Sequence, residues 1–123
     1  MKRILLILMM VGIAHAHEMI PTYPKWSSSH VENISKTTME MFNKRQDVEW
    51  YEIGIFDKDW KPIPFVTSYK IIKVEYLGHV NVEVFINDQD KKRAVYICSK
   101  SKIRKQDLVR TAISSRICSK FKD

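Results

Sequence analysis

Apolar residues recur at every second position in short segments of this chain, and this period restricts the fold more than any other feature. The segments 36–42 and 80–86 alternate in this way. A period of two places alternate side chains on opposite faces of a β-strand, so each segment can bury one face. Four further segments are rich in β-branched and aromatic residues and are typical of strands; these are 48–56, 69–76, 94–99 and 116–121.

Polar clusters separate the predicted strands. Asn43–Asp47 and Asn87–Asp90 are typical of turns, and 57–64 contains two prolines, which favour a loop. Leu77-Gly78-His79 predicts a tight turn, so that the strands on its two sides would form a hairpin. The polar segment 102–114 is ambiguous, although its apolar spacing fits one short helix. Short strands with little helix predict an all-β fold, a small antiparallel immunoglobulin-like β-sandwich.

The first residues of the chain have the pattern of an export signal. Lys2 and Arg3 are followed by the uncharged apolar run Ile4–Ile13, and Ala14-His15-Ala16 supplies small residues for signal peptidase. A helix that crosses a membrane needs about twenty apolar residues, so this run is too short and no transmembrane segment is predicted. We therefore expect residues 1–16 to be a signal peptide and the protein to be secreted or periplasmic.

The remainder of the chain is predicted to form one domain. The segment 17–34 contains two prolines and a run of serines, which favour an extended leading segment. Residues 35–123 would then form the single sandwich domain.

The two cysteines, Cys98 and Cys118, both follow the predicted signal peptide. In an oxidising compartment such a pair usually forms a disulfide. The bridge would close a loop of about twenty residues and contribute about 3 kcal/mol in the chain-entropy description.

Positive charge is concentrated after residue 90. The formal net charge is +7, and residues 91–123 carry eleven basic and two acidic side chains. This bias is explained by a solvated face that keeps a small basic protein soluble, or by an acidic protein partner or an anionic surface. It argues less for nucleic acid, because only Tyr96 and Phe121 lie among the basic residues as stacking platforms. The candidate partner-binding residues here are Lys100, Lys102, Arg104, Lys105 and Arg110.

Histidines near the predicted cleavage point raise the alternative of a copper site. Cleavage after Ala16 would leave His17 first, and cleavage after Ala14 would leave His15 first. A terminal amine with a nearby imidazole suits Cu(II). This junction resembles small copper-carrying periplasmic β-sandwiches, whose mature chains begin with histidine, although His30 and His79 do not follow their further ligand pattern. The alternative function is thus a periplasmic copper-binding protein that uses His17; otherwise no cofactor is expected.

Catalytic motifs are absent from the sequence. The chain has no Gly-x-Ser-x-Gly and too few glycines for a phosphate-binding loop. Asp57 and Asp59 are two residues apart in a predicted loop, where turn chemistry explains them. We therefore expect a protein that is not an enzyme.

A binding role is suggested by the segment Lys61–Thr67 and the alternating residues after it, Ile72, Val74 and Tyr76. This stretch resembles the edge-strand region of the N-terminal immunoglobulin-like domain of periplasmic pilus chaperones. The resemblance implies that Phe65, Ile72, Val74 and Tyr76 contact a partner protein through an edge strand. Ser68 replaces the proline that would follow threonine in that family, and the chain is too short for its second domain.

A second resemblance concerns His15–Tyr23 and Trp50–Pro64, which are similar to small uncharacterised secreted proteins of marine cyanobacterial phages. It implies an origin and no activity. The function predicted from the sequence is an exported, non-catalytic binding or accessory module that recognises a protein partner through an edge strand or a basic C-terminal face.

Overall fold

The computed structural model describes residues 17–102 and 115–122. Within these ranges the chain forms nine β-strands and one short α-helix, and no helix there is long and apolar enough to cross a bilayer. The elements are β1 Glu18–Ile20, β2 Ser27–Ser28, β3 Ile34–Phe42, β4 Trp50–Phe56, β5 Val66–Thr67, β6 Ile71–Lys73, β7 His79–Asn87, α1 Asp88–Lys91, β8 Tyr96–Lys102 and β9 Arg116–Lys120. The predicted signal peptide and most of 102–114 lie outside the described residues.

The strands form two antiparallel sheets. In the first sheet the order is β1-β3-β7-β5, and β2 also pairs with β3. In the second sheet the order is β6-β4-β8-β9. The predicted all-β, immunoglobulin-like sandwich is therefore confirmed. The segment 17–34, which supplies β1 and β2, belongs to the first sheet.

The core lies between the two sheets, where alternate residues of the long strands are buried. The inward residues of the first sheet include Met39, Met41, Val82, Val84 and Ile86. Those of the second sheet include Tyr51, Ile53, Ile55 and Ile97. Burial of these apolar side chains is the main stabilising contribution to such a fold. The period of two read from the sequence identified this inward face correctly.

The predicted hairpin around Leu77-Gly78-His79 is wrong. β6 pairs with β4 in the second sheet, whereas β7 pairs with β3 in the first. The turn itself exists, since the Gly78 N–H donates to the Glu75 carbonyl at 2.8 Å and Leu77 has a φ of 61°. Because the chain passes between sheets here, the strands on its two sides never become partners. Alternation alone cannot distinguish these two outcomes. The predicted turn at 87–90 is also partly wrong, because residues 88–90 belong to the short helix α1.

The disulfide prediction is confirmed. Cys98 on β8 lies directly opposite Cys118 on β9, and the two sulfur atoms are bonded. The bridge therefore joins the last strand to the sheet across a span of 20 residues.

A buried amide fixes the loop between β3 and β4. The Asn43 side chain is fully buried and donates to the carbonyls of Val48 and Val74 at 2.7 and 2.8 Å. Its oxygen accepts from the Arg45 N–H at 2.9 Å and from the Tyr51 hydroxyl at 2.6 Å. Four groups that would otherwise be unsatisfied in the interior are thus paired by one side chain.

Candidate functional site

The segment 65–77, here called the 65–77 edge, runs from an edge strand of the first sheet to an edge strand of the second. β5 pairs only with β7, and β6 pairs only with β4, among the residues that the structure describes. Five of the nine large apolar side chains that are exposed in the described ranges lie on this segment. They are Val66, Tyr69, Ile71, Tyr76 and Leu77, with exposed fractions from 45% to 71%.

The backbone of β6 has an open side. The Ile53 N–H donates to the Lys70 carbonyl at 2.8 Å, and the Val74 N–H donates to the Glu49 carbonyl at 2.7 Å. In an antiparallel pair the bonding direction alternates from one residue to the next. The N–H and C=O groups of Ile71 and Lys73 therefore point away from β4. No backbone hydrogen bond to these two residues is formed by 17–102 or 115–122.

Two of the residues predicted to contact a partner are core residues, and this part of the prediction is corrected. Ile72 is 8% exposed and Val74 is fully buried, so both side chains pack between the sheets. Phe65 is partly buried against the core, with the Lys70 ammonium 5.3 Å from its ring centre. Of the predicted set on this segment, Tyr76 is exposed.

The error follows from the alternation itself. The apolar residues that recur every second position on an edge strand are those that face the core. The residues available to a partner are the ones between them, of which Ile71 is the example. Ile71 could have been identified from the sequence as an apolar residue at an outward-facing position of the strand.

Charged side chains flank this edge. Lys73 lies 3.8 Å from Glu49 and 4.0 Å from Glu75, and all three side chains are exposed. Lysine on an edge strand is a common protection against uncontrolled pairing with other chains. Both signs of charge therefore lie beside the exposed apolar side chains of the 65–77 edge.

The predicted basic face is only partly within the described residues. Lys100 is exposed on β8, and Lys102 pairs with Glu52 at 2.8 Å. Arg104, Lys105 and Arg110 lie outside the described residues. The charge of Lys102 is therefore compensated by Glu52. Of the predicted basic residues that the structure describes, Lys100 is the one whose charge stays available to a partner.

Next to Lys100, the outer face of the second sheet carries an aromatic group that sequence reasoning missed. Trp60 stacks on Tyr96 with ring centres 4.1 Å apart and planes 3° apart. The Arg116 guanidinium lies 5.0 Å from the Trp60 ring and 5.8 Å from the Phe56 ring. These residues come from three separate segments, so no local pattern indicates that they meet.

His17 is buried and uses both ring nitrogens in contacts within the protein. Its Nε2 lies 2.8 Å from the Ser99 hydroxyl, which can donate or accept, and 3.1 Å from the Ser99 carbonyl, which accepts when Nε2 carries the proton. Its Nδ1 lies 3.3 Å from the Ser115 hydroxyl. Burial lowers the pKa of His17, the hydrogen bond to Ser99 raises it, and the charge of Arg45 lowers it.

Copper binding through the His17 ring would require these contacts to break. Within 17–102 and 115–122 no group of three His, Cys, Asp or Glu side chains is placed to hold a metal ion. The copper alternative stays a prediction from the sequence.

Comparisons with known proteins show the fold. No family model matches the chain, and no curated protein matches its sequence. The structure is similar to the E. coli chaperone DraB, with a TM-score of 0.61, 15% identity and coverage of 87% of this chain and 53% of DraB. It is also similar to the human CEP192 PapD-like domain 7, with a TM-score of 0.52, 9% identity and coverage of 87% and 82%. The chain thus spans about half the length of DraB and has a PapD-like immunoglobulin fold.

Proposed function

We propose that this protein is an exported, non-catalytic binding module that holds a partner protein by adding a strand of the partner to β6. The observation that carries the proposal is the coincidence on one segment of an open strand edge and five exposed apolar side chains. Strand addition uses the main chain for affinity and alternate side chains for specificity. Both requirements are met on the 65–77 edge.

The short length of β6 determines how the binding energy is divided between main-chain hydrogen bonds and apolar contacts. Ile71 and Lys73 offer four main-chain groups, and each hydrogen bond contributes about 0.5–1.5 kcal/mol net. Full burial of one large apolar side chain contributes about 1.5–3 kcal/mol. Since Tyr69, Ile71 and Tyr76 are roughly half exposed or more, covering them contributes about 2.5–5 kcal/mol, which is comparable to the roughly 2–6 kcal/mol of the main chain. The hydrogen bonds then set the direction and register of the partner strand.

The similarity to DraB supports this proposal, since DraB is itself a chaperone. The export part is supported by the signal-like residues 1–16 and by the Cys98–Cys118 bridge, which suits an oxidising compartment.

A proline substitution tests strand addition directly. The Ile71 N–H points away from β4, so Ile71→Pro removes an outward donor and keeps the β4–β6 pairing. Peptides selected from a displayed random library would be measured by fluorescence anisotropy on purified protein. We expect Ile71→Pro and Ile71→Ala each to weaken binding by about tenfold, from about 1.4 kcal/mol for a lost hydrogen bond or apolar contact. The matched control is Val31→Ala, which shortens an exposed apolar side chain outside the 65–77 edge.

Two outcomes would contradict the proposal. Peptides that bind Ile71→Pro as tightly as the native protein would show that β6 does not accept a strand. For export, expression with the native N-terminus and mass measurement of the product should show removal of residues 1–16. An intact N-terminus on a cytoplasmic product would contradict that part.

A further inference from the structure

A second open site lies at one end of the sandwich, away from the 65–77 edge. It is a pocket of about 770 Å³ where β4 ends, β8 begins and β9 ends. Its apolar wall contains Trp26, Tyr96 and Phe121, and the Trp26 and Phe121 rings stack with centres 4.5 Å apart. The lining residues come from four separate parts of the chain, and none belongs to 65–77.

Six lysines surround this pocket, and none of the carboxylates in 17–102 and 115–122 lines it. The lysines are Lys25, Lys58, Lys91, Lys92, Lys120 and Lys122. None of the six forms an ion pair with another residue in the part of the chain that the structure describes. The pocket therefore has a concentrated positive charge without an internal counter-charge.

Two acidic residues that are close in sequence to the lining lysines, Asp57 and Asp90, have partners outside the pocket. Asp90, in α1, is paired with Arg93. Asp57 accepts the backbone N–H groups of Asp59 and Lys61 at 2.8 and 2.9 Å, and these bonds hold the loop after β4. Asp57 keeps its negative charge, but neither carboxylate forms an ion pair with a lysine of the pocket within the described residues.

The arrangement differs from an ordinary solvated basic face. Lysines scattered over a convex surface keep apart and are screened by water and salt. A concave site with apolar walls concentrates the field of its charges and attracts ions of opposite sign. Six like charges around one pocket repel one another, and a bound anion relieves this repulsion.

We propose that this pocket binds an anion that carries several phosphate groups. Lysine is a compact charge with three donors, which suits phosphate oxygens approached from several sides. Several lysines around the rim match a ligand with several charges better than one with a single charge. The volume lies within the range of about 300–1,000 Å³ that is usual for small-ligand sites. The proposal is independent of strand addition at β6, because the two sites share no residue.

The test compares two double variants that change the net charge equally. Lys91→Gln with Lys122→Gln removes two charges from the pocket. Lys44→Gln with Lys102→Gln removes two charges from the opposite end of the sandwich, where both lysines are in exposed ion pairs. All four side chains lie on the surface, and thermal melting should confirm that both variants fold.

Binding of inorganic tripolyphosphate would be measured by isothermal titration calorimetry, with orthophosphate for comparison. We expect one site on the native protein, tighter binding of tripolyphosphate than of orthophosphate, and weakening by added salt. The pocket variant should bind about 25-fold more weakly, from about fivefold for each of the two charges removed at contact distance. The control variant should change by about twofold or less, because Lys102 lies six residues along β8 from Tyr96 in the pocket wall. This is about 20 Å along a strand, which exceeds the Debye length of about 10 Å, and Lys44 lies in the loop that leads to Trp50, the strand partner of Lys102.

Two results would overturn the proposal. Equal weakening in the two variants would show a general attraction to net charge, and absence of tripolyphosphate binding would show that the pocket is not a site. A second arm separates the sources of phosphate, using phosphatidylcholine vesicles with and without phosphatidic acid. Vesicle binding that is lost in the pocket variant would assign the site to a lipid headgroup. Tripolyphosphate binding without vesicle binding would assign it to a free oligophosphate.

Discussion

Replacing Asn43 should lower the unfolding free energy by a large amount for so small a side chain. Asn43→Ala removes four hydrogen bonds at once and leaves their partners in the interior. The partners are the carbonyls of Val48 and Val74, the N–H of Arg45 and the hydroxyl of Tyr51, all in buried residues. Burial raises the pKa of Tyr51 to about 12, so its hydroxyl stays protonated and needs an acceptor.

The magnitude follows from the number of groups left unpaired. Each buried polar group without a partner costs about 1–3 kcal/mol. Four groups at the lower limit cost about 4 kcal/mol, and the lower limit is appropriate because a water molecule can enter the space left by the amide. A domain of this size has about 5–15 kcal/mol of stability, so Asn43→Ala should be folded but marginal.

Urea unfolding at pH 7 with the disulfide intact measures this loss, and Tyr51→Phe is the matched control. Tyr51→Phe removes one partner and leaves the Asn43 oxygen bonded to the Arg45 N–H, so we expect it to cost about 1 kcal/mol. If Asn43→Ala lowers the unfolding free energy by no more than Tyr51→Phe does, the four hydrogen bonds of Asn43 do not stabilise the fold in the way that the structure indicates.

Two further predictions concern pH and the disulfide. The lowered pKa of His17 means that the unfolded chain takes up a proton first as pH falls through its unperturbed value of 6.5. The unfolding free energy should therefore decrease as the pH is lowered from 7 towards the folded-state pKa of His17. In urea titrations at a series of pH values, His17→Gln should reduce this pH dependence, whereas His30→Gln should leave it unchanged. Replacing Cys98 and Cys118 together by alanine should lower the unfolding free energy by about 3 kcal/mol, measured by urea unfolding. A loss that is near zero would show that the bridge does not restrict the unfolded chain.

The strands and the core could be read from the sequence because their signal is local. In β3 the inward residues Thr37, Met39 and Met41 follow the period of two, and all are buried. The disulfide was equally accessible, since the cysteines lie in two predicted strands. Sheet membership was not accessible, because β6 and β7 are close in sequence but pair in different sheets.

The site residues could be predicted less well, for a related reason. Apolar alternation selected Ile72 and Val74, which face the core, in place of Ile71, which faces outward on the same strand region. Asn43 lay in a cluster that had the composition of an ordinary turn, and its role depends on the Val74 carbonyl 31 positions away.

The lysine pocket shows why charge counted along the chain can mislead. The bias after residue 90 pointed to a basic face around Lys100 and Lys102, yet Lys102 is paired with Glu52. The uncompensated charge that the structure assembles also includes Lys25 and Lys58, which belong to the part of the chain that is acidic on average. Whether a lysine can recruit an anion depends on the carboxylates within a few ångströms of it, and those are determined by the fold.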